Sequence, residues 1–340
     1  MDTVTLGRTG LTVNKNGFGT LPIQRVSREE AARLLTRALE GGMTFFDTAR
    51  SYSDSEEKIG YALSGRRTQF YLATKTAAVT AEGFWNDLET SLRNLKTDHV
   101  DLYQFHNPAF CPKPGDGTGL YEAMAEAKAQ GKIRFIGITN HRLAVAREAI
   151  ASGLYDTLQF PFCYLATDQD QAIRAAAREA NMGFIAMKAL SGGLIRDSAA
   201  AYAWLAQYPE MLPIWGIQRE GELDEFLSYV QEPPALDQRR LSLIQADRQQ
   251  LQGSFCRGCG YCMPCPVGIE INNCARMSLM IRRAPQAAQL TEEMQAKMAK
   301  IADCLHCGQC AAKCPYGLDT PKLLEENYKD YQEILAGKPV

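Results

Sequence analysis

Residues 70–106 read FYLATKTAAVTAEGFWNDLETSLRNLKTDHVDLYQFH. A short β-branched and aromatic run, Phe70–Lys75, is followed by a segment of helical period over 81–95 and then by a second run, Val100–His106. That alternation is the rhythm of a strand–helix–strand unit with parallel strands. Outward from it the same rhythm extends from about residue 13 to 230. The strand candidates are Asn16–Gly19, Thr44–Asp47, Phe70–Lys75, Val100–His106, Ile133–Ile138, Thr157–Phe160, Gly183–Met187 and Ile214–Ile217. Helical segments lie at 81–95, 119–130, 142–152, 168–180 and 222–230. An earlier one carries its own punctuation, with Ser27 and Glu30 in capping-box spacing, apolar Ala31, Leu34, Leu35, Ala38 and Leu39, and a stop at Gly41-Gly42. Eight strands fit a (β/α)8 TIM barrel, although strand number alone leaves a doubly wound open sheet as the alternative.

A chain of 340 residues accommodates a barrel of about 250 residues and a module of under a hundred. The division expected is a barrel over 1–230, a linker and helix over 231–254, and a cysteine-rich domain with a tail over 255–340. The linker opens on Glu232-Pro233-Pro234 and continues through a Gln-rich run from Asp237 to Gln252. Hydrophobic residues at 46% and charged residues at 22% are the balance of a globular chain able to bury a core. The formal charge of -2 offers no basic stripe for a phosphate backbone, so nucleic acid is not an expected partner. No run approaches the ~20 apolar residues that span a bilayer, and Met1-Asp2 does not open a signal sequence. A cytoplasmic protein with no membrane partner is the expectation.

Of eleven cysteines, nine crowd between 256 and 314, while Cys111 and Cys163 stand apart. In a reducing compartment such crowding reads as metal ligation. The clustered set is Cys256, Cys259, Cys262 and Cys265-Pro266, then Cys304, Cys307, Cys310 and Cys314-Pro315. Three thiolates at successive two-residue gaps suit one face of a 4Fe-4S cube, whereas structural zinc takes spaced pairs and is the rival. Eight ligands make two clusters. Cys274 is left over on a helical stretch and reads as a small core residue. Helix-like stretches, Asn273–Arg283 and Glu292–Ala302, fill the interval between the motifs.

Four polar residues fall at or just past the ends of consecutive strand candidates: Asp47, Tyr52, Lys75 and His106. Barrel enzymes carry their chemistry on that rim. Taken singly they could be a surface Lys-Asp pair, a core tyrosine and a buried histidine. With their flanks, however, FDTARSYSDSEEKIG at 46–60, ATK at 73–75 and DLYQFHNP at 101–108 resemble the aldo/keto reductase family, and the opening LGRTGLTVNKNGFGT agrees. The resemblance covers roughly residues 4–230. It implies hydride transfer between a nicotinamide cofactor and a carbonyl or alcohol, in which Tyr52 is the general acid. Lys75 would lower the phenol's pKa, Asp47 would orient Lys75, and His106 would align the substrate oxygen.

The same resemblance extends to IGITNH at 136–141, LQFPF at 158–162, IAMKALSGG at 185–193 and PIWGIQREGELDE at 213–225. It implies cofactor contacts from Gly19, Thr20, Asp47, Thr139, Asn140, Gln159, Met187 and Arg219. The short polar members among them could equally be hydrogen-bonding residues of the rim. Met187 stands where family members often stack an aromatic ring, and Glu222 and Phe226 stand where an arginine and an asparagine are frequent around the adenine. Arg219 suits a 2′-phosphate and Glu222 repels one, so NADP is only slightly preferred to NAD.

CRGCGYCMPCPVGI at 256–269 resembles the iron–sulfur branch of that family, with an alpha-helical ferredoxin-like domain. By analogy with bacterial two-cluster ferredoxins, Cys256, Cys259, Cys262 and Cys314 would hold one cluster, and Cys304, Cys307, Cys310 and Cys265 the other. The branch implies an oxygen-sensitive setting, that of an anaerobe. Because hydride moves two electrons and each cluster moves one, direct coupling needs a converter such as a flavin, for which no motif is present. Two functions are therefore carried forward. One is an NAD(P)-dependent carbonyl or alcohol oxidoreductase whose clusters serve electron transfer or structure. The other is an electron-transfer or redox-sensing subunit that binds nucleotide and passes electrons to a protein partner. Cys111 and Cys163 are read as packing or substrate-touching residues of the same rim.

Overall fold

The computed structural model describes residues 2–251, 255–283 and 286–339. The chain divides into two compact units, Met1–Ala189 with Ala199–Asp237, and Leu190–Ser198 with Gln238–Val340. Among the described residues no helix is long and apolar enough to cross a membrane.

The first unit begins with an antiparallel pair, β1 (Thr3–Thr5) and β2 (Thr12–Asn14), and continues into eight parallel strands. These are β3 (Gly17–Gly19), β4 (Phe45–Asp47), β5 (Tyr71–Thr76), β6 (Val100–His106), β7 (Ile133–Thr139), β8 (Thr157–Pro161), β9 (Gly183–Met187) and β10 (Met211–Gly216). They close into a barrel in sequence order, with β10 returning to β3 through Ile214 opposite Gly17. Closure settles the choice against an open sheet. All eight expected strands are present, with ends moved by a residue or so except at β10, which starts three residues earlier than Ile214.

Helices cover the outside of the barrel, so most strands are buried on both faces and read as near-continuous apolar runs. In β6, Tyr103 and Phe105 turn outward onto Phe84 of the helix Ala81–Leu95, with ring centroids 5.5 and 6.4 Å away. The alternate residues turn inward, where Leu102 joins Phe45, Ala73, Ile185, Leu212 and Ile214 in an apolar layer. Val4, Leu6, Leu11 and Val13 of the β1–β2 hairpin belong to that layer. The N-terminal end of the barrel is therefore plugged by apolar side chains.

The helix Arg28–Glu40 forms as its caps dictate: Ser27 Oγ accepts from the Glu30 amide, and the Glu30 carboxylate accepts from the Ser27 amide. Its buried residues are Ala31, Leu34, Leu35, Ala38 and Leu39. Helices Ser55–Leu63 and Ser198–Ala206, together with the hairpin, are elements the periodicity did not supply.

The second unit is helical. Its main helices are Gln238–Gln250, Met277–Arg283, Glu292–Ala299 and Thr320–Leu335, around a core that includes Ile271, Cys274, Met277, Ile281, Met298, Leu324 and Tyr331. Arg283 is buried and fastens three segments: it donates to the Leu194 carbonyl at 2.7 Å, to Gln250 Oε1 at 2.7 Å and to the Asp247 carboxylate. The 231–254 stretch contains the end of one helix at Gln231, a passage without regular structure and the helix Gln238–Gln250, while its residues 252–254 lie outside the described residues.

Candidate active site and cysteine recesses

Parallel register brings the inward residues of β4, β5, β6 and β8 to one level. Asp47, 2% exposed, ends β4, and Lys75, 1% exposed, projects from β5. Lys75 Nζ donates to Asp47 Oδ2 at 2.6 Å and to the Thr48 carbonyl at 2.7 Å. The other carboxylate oxygen accepts from Gln104 Nε2 at 3.3 Å, and Gln159 Nε2 donates to Oδ2 at 3.3 Å. Burial pushes the Asp47 carboxyl up and the Lys75 ammonium down, and the charge of each opposes the shift of the other. The pair is thus held by its own contact and by two amide donors.

Tyr52 arrives on the loop after β4. That loop keeps strand-like pairing for three more residues, as Thr48 N donates to the Ala73 carbonyl and Arg50 N to the Lys75 carbonyl, before the chain turns at Ser53 (φ 35°). Behind it Glu56, fully buried, accepts from Thr74 and Ser91 hydroxyls at 2.7 Å each and pairs with the Arg50 guanidinium. The Tyr52 ring lies under Lys75, with Nζ 5.2 Å from its centroid, and meets the His106 ring edge-on at 5.7 Å. All four expected catalytic residues therefore stand together, although Tyr52 and Lys75 are 23 positions apart in sequence and His106 lies two strands along from Asp47.

His106 ends β6 and is partly buried. Burial first, and then the charge of Lys75, lowers its pKa to about 3. Ser51 Oγ lies 3.2 Å from His106 Nδ1. The ring is expected to stay neutral, so proton NMR of the imidazole should show no titration between about pH 5 and 8. Because the folded pKa lies below the unfolded value of about 6.5, this group's contribution to stability is complete above that value and is lost as pH falls toward 3. Titration near about 6.5 would instead put the ring in open solvent.

The residues expected around a nicotinamide divide into two groups. Thr139, Gln159 and Met187 converge inside the barrel: Thr139 pairs in register with His106 and Gln159, and Thr139 Oγ1 lies 3.7 Å from Met187 Sδ. The others are tied locally. Thr20 Oγ1 donates to the Asp47 carbonyl at 2.9 Å, next to Gly19 at the end of β3. Asn140 Nδ2 donates to the Pro108 carbonyl, and Asn140 Oδ1 accepts from Arg142 N, both at 2.8 Å. Arg219 has an exposed side chain, while the Glu222 carboxylate turns back to accept from the Gln218 and Arg219 amides at 2.9 and 3.1 Å. Phe226 is a core residue stacked on Trp215 at 4.5 Å. Cys111 and Cys163 are buried, and burial pushes the Cys111 thiol up. Gln104 and Ser51 were not foreseen; the usable signal was a polar residue at an inward phase of β6 and a hydroxyl directly before Tyr52.

In the second unit Cys256, Cys259, Cys262 and Cys314 line one recess of about 340 Å³. Cys265, Cys304, Cys307 and Cys310 line another of about 400 Å³, to which Cys262 also contributes. The rest of that second lining is mainly apolar, from Pro264, Pro266, Val267, Ile269, Ile271 and Leu305 among others. The donor set is entirely thiol, and the Gly258 amide donates to Cys256 Sγ at 3.4 Å, the kind of contact that tunes a cluster sulfur. Such residues fit iron–sulfur clusters. Cys274 lines neither recess; it is fully buried, and its thiol lies 3.6 Å from the Lys297 carbonyl.

Comparison with known proteins agrees with both halves. Residues 15–200 match the aldo/keto reductase family, and residues 255–319 match the 4Fe-4S dicluster domain. The chain is 31% identical over 232 residues to the uncharacterized oxidoreductase YrpG of Bacillus subtilis, covering 58% of this chain and 69% of that protein. It is 26% identical to L-galactose dehydrogenase of Arabidopsis thaliana, covering 61% and 70%. The curated relatives it matches are spanned over 43% to 70% of their own length. Among solved structures, an aldo-keto reductase from Klebsiella pneumoniae in complex with NADPH superposes with a TM-score of 0.62 at 22% identity, covering 72% of this chain and 94% of that one. The holo form of an aldo-keto reductase from Bacillus halodurans gives 0.64 at 21%, covering 73% and 96%. At that identity the likeness speaks for the fold. A closed eight-stranded barrel, a family match across more than half of the chain and a separate dicluster match together show that this chain belongs to the aldo/keto reductase family as an oxidoreductase with a C-terminal 4Fe-4S domain.

Proposed function

We propose that this chain interconverts a small carbonyl compound and its alcohol with NADPH, using Tyr52 as the proton donor. The observation that carries the reading is the buried Lys75–Asp47 pair set against the Tyr52 ring, with the His106 ring edge-on to it at 5.7 Å. Bound nicotinamide supplies the hydride, and the chain's own residues supply everything else. Reduction leaves negative charge on the carbonyl oxygen, which must be protonated as it develops. Tyr52 gives that proton, and the adjacent Lys75 charge stabilises the phenolate left behind. Asp47 keeps Lys75 charged and pointed. Ser51 Oγ lies 3.2 Å from Nδ1, and in the tautomer where it donates there, neutral His106 has its Nε2–H to hold the substrate oxygen. Gln159 and Thr139 would hold the carboxamide, and Met187 offers a polarizable surface beside them. NADPH is preferred to NADH because the Glu222 carboxylate is engaged by the Gln218 and Arg219 amides and makes only a 4.0 Å ion pair with the largely exposed Arg219 guanidinium, which a 2′-phosphate would compete for.

The two recesses would hold two 4Fe-4S clusters, with Cys256, Cys259, Cys262 and Cys314 on one and Cys265, Cys304, Cys307 and Cys310 on the other. Such clusters supply one-electron chemistry or cross-link the helical unit.

The test is an anaerobic titration of the cluster-replete protein with NADPH, with and without a panel of small carbonyls, following nicotinamide and iron–sulfur absorbance together. NADPH oxidation that tracks carbonyl loss one for one is the expected result. Tight NADPH binding with no carbonyl reduced, and electrons passed to a ferredoxin, would replace this reading with an electron-transfer or redox-sensing subunit. Bleaching of the clusters during turnover would put them on the electron path; an unchanged cluster spectrum under potentials that dithionite shows to be accessible makes them structural.

A further inference from the structure

Gln104 is fully buried on an inward phase of β6, opposite Lys75 on one side and Gly137 on the other. Its amide makes a closed triangle. Gln104 Nε2 donates to Asp47 Oδ1 at 3.3 Å and to Gln159 Oε1 at 2.9 Å, and Gln159 Nε2 donates to Asp47 Oδ2 at 3.3 Å. Reversing the Gln159 amide would set its nitrogen against the Gln104 nitrogen and its oxygen against the Asp47 carboxylate, two repulsive contacts in a buried place. The room for this arrangement is made by Gly137, where a Cβ would lie 2.6 Å from Thr157 Oγ1 and 2.8 Å from Gln104 Cγ.

We propose that Gln104 is a positioning residue that fixes which end of the Gln159 amide faces the nicotinamide head, and so makes the site selective for a carboxamide. This deepens the proposed function and rests on its assignment of Gln159 to that head group. Once Gln104 and Asp47 have taken one lone pair of Oε1 and one hydrogen of Nε2, Gln159 has one acceptor and one donor left. A primary carboxamide presents the complementary donor and acceptor; a methyl ketone in its place lacks the donor. Gln104 also ties the orientation of Gln159 to the carboxylate that holds Lys75.

The test compares binding of NADPH with binding of reduced 3-acetylpyridine adenine dinucleotide phosphate to the intact, cluster-bearing protein. The parent should prefer NADPH by about tenfold, the worth of one good hydrogen bond left unmade. Gln104→Met, which keeps the volume and removes both donors, should lower that ratio severalfold, because only the 3.3 Å bond from Gln159 Nε2 to Asp47 then holds the amide. Gln104→Asn, with the amide drawn back by a methylene, should do the same and serves if the methionine variant does not fold. A parent-like ratio in either folded variant overturns the proposal, as does a parent that binds both dinucleotides equally; that last result leaves the cofactor reading intact. A parent that binds neither dinucleotide would overturn the cofactor reading itself, and the proposal with it.

Discussion

Replacing Tyr52 by phenylalanine should slow carbonyl reduction by about 10²–10⁴-fold, the usual contribution of a positioned general acid, which corresponds to about 3–5 kcal/mol of transition-state stabilisation. The hydroxyl alone is removed. The ring keeps its edge contact with His106 and its place under Lys75, and the loop that carries it is fixed by backbone bonds from Tyr52 N to the Ala49 carbonyl and from Ser55 N to the Tyr52 carbonyl. NADPH affinity and the visible spectrum of the clusters should therefore be unchanged. Stopped-flow single turnover separates the chemical step from cofactor binding. A chemical rate within tenfold of the parent would take the proton donor's role away from Tyr52 and leave it as a wall of the pocket.

Lys75→Met is expected to cost about 3–5 kcal/mol of stability as well as activity, because it strands the carboxylate of Asp47 in the barrel interior. Its remaining donors, the Gln104 and Gln159 amides at 3.3 Å, are neutral and long, so they do not replace an ammonium at 2.6 Å. That loss is a large share of the ~5–15 kcal/mol that holds a typical domain together. The sign of its pH dependence follows from burial. Without Lys75 the Asp47 pKa rises further above its unfolded value, so the deficit should shrink as pH falls toward the ordinary carboxylate range, where Asp47 folds as the neutral acid. Pairing the change with Asp47→Asn should recover most of the stability and none of the turnover. Urea denaturation of the four proteins of this cycle reads the interaction directly, and a loss below about 1 kcal/mol in the single variant would mean that the pair behaves as a surface salt bridge.

Much of this was legible in the sequence because it is local. A strand and the helix after it announce themselves through period and caps, as Ser27 with Glu30 does, and Asp47 and Tyr52 are separated only by a loop. Cysteines at two-residue gaps point to metal ligation by spacing alone. What escaped was of two kinds. The hairpin strands Thr3–Thr5 and Thr12–Asn14 are three residues each, too short for alternation to register. The helix Ser198–Ala206 reads SAAAYAWLA and is buried on nearly all sides, so it has no polar face to set a period.

The sequence by itself pointed to the family, the eight strands, the four polar residues at or just past strand ends and a cysteine-rich C-terminal segment, since each is written in neighbouring residues. Only the tertiary structure decided that the sheet closes and that Leu190–Ser198 belongs with the helical unit. It alone placed Gln104 between Asp47 and Gln159, and Glu56 behind the Tyr52 loop. The reason is register: which side chains meet across parallel strands depends on hydrogen-bond pairing between segments 20 to 33 residues apart, and a shift of one residue would turn every inward group outward.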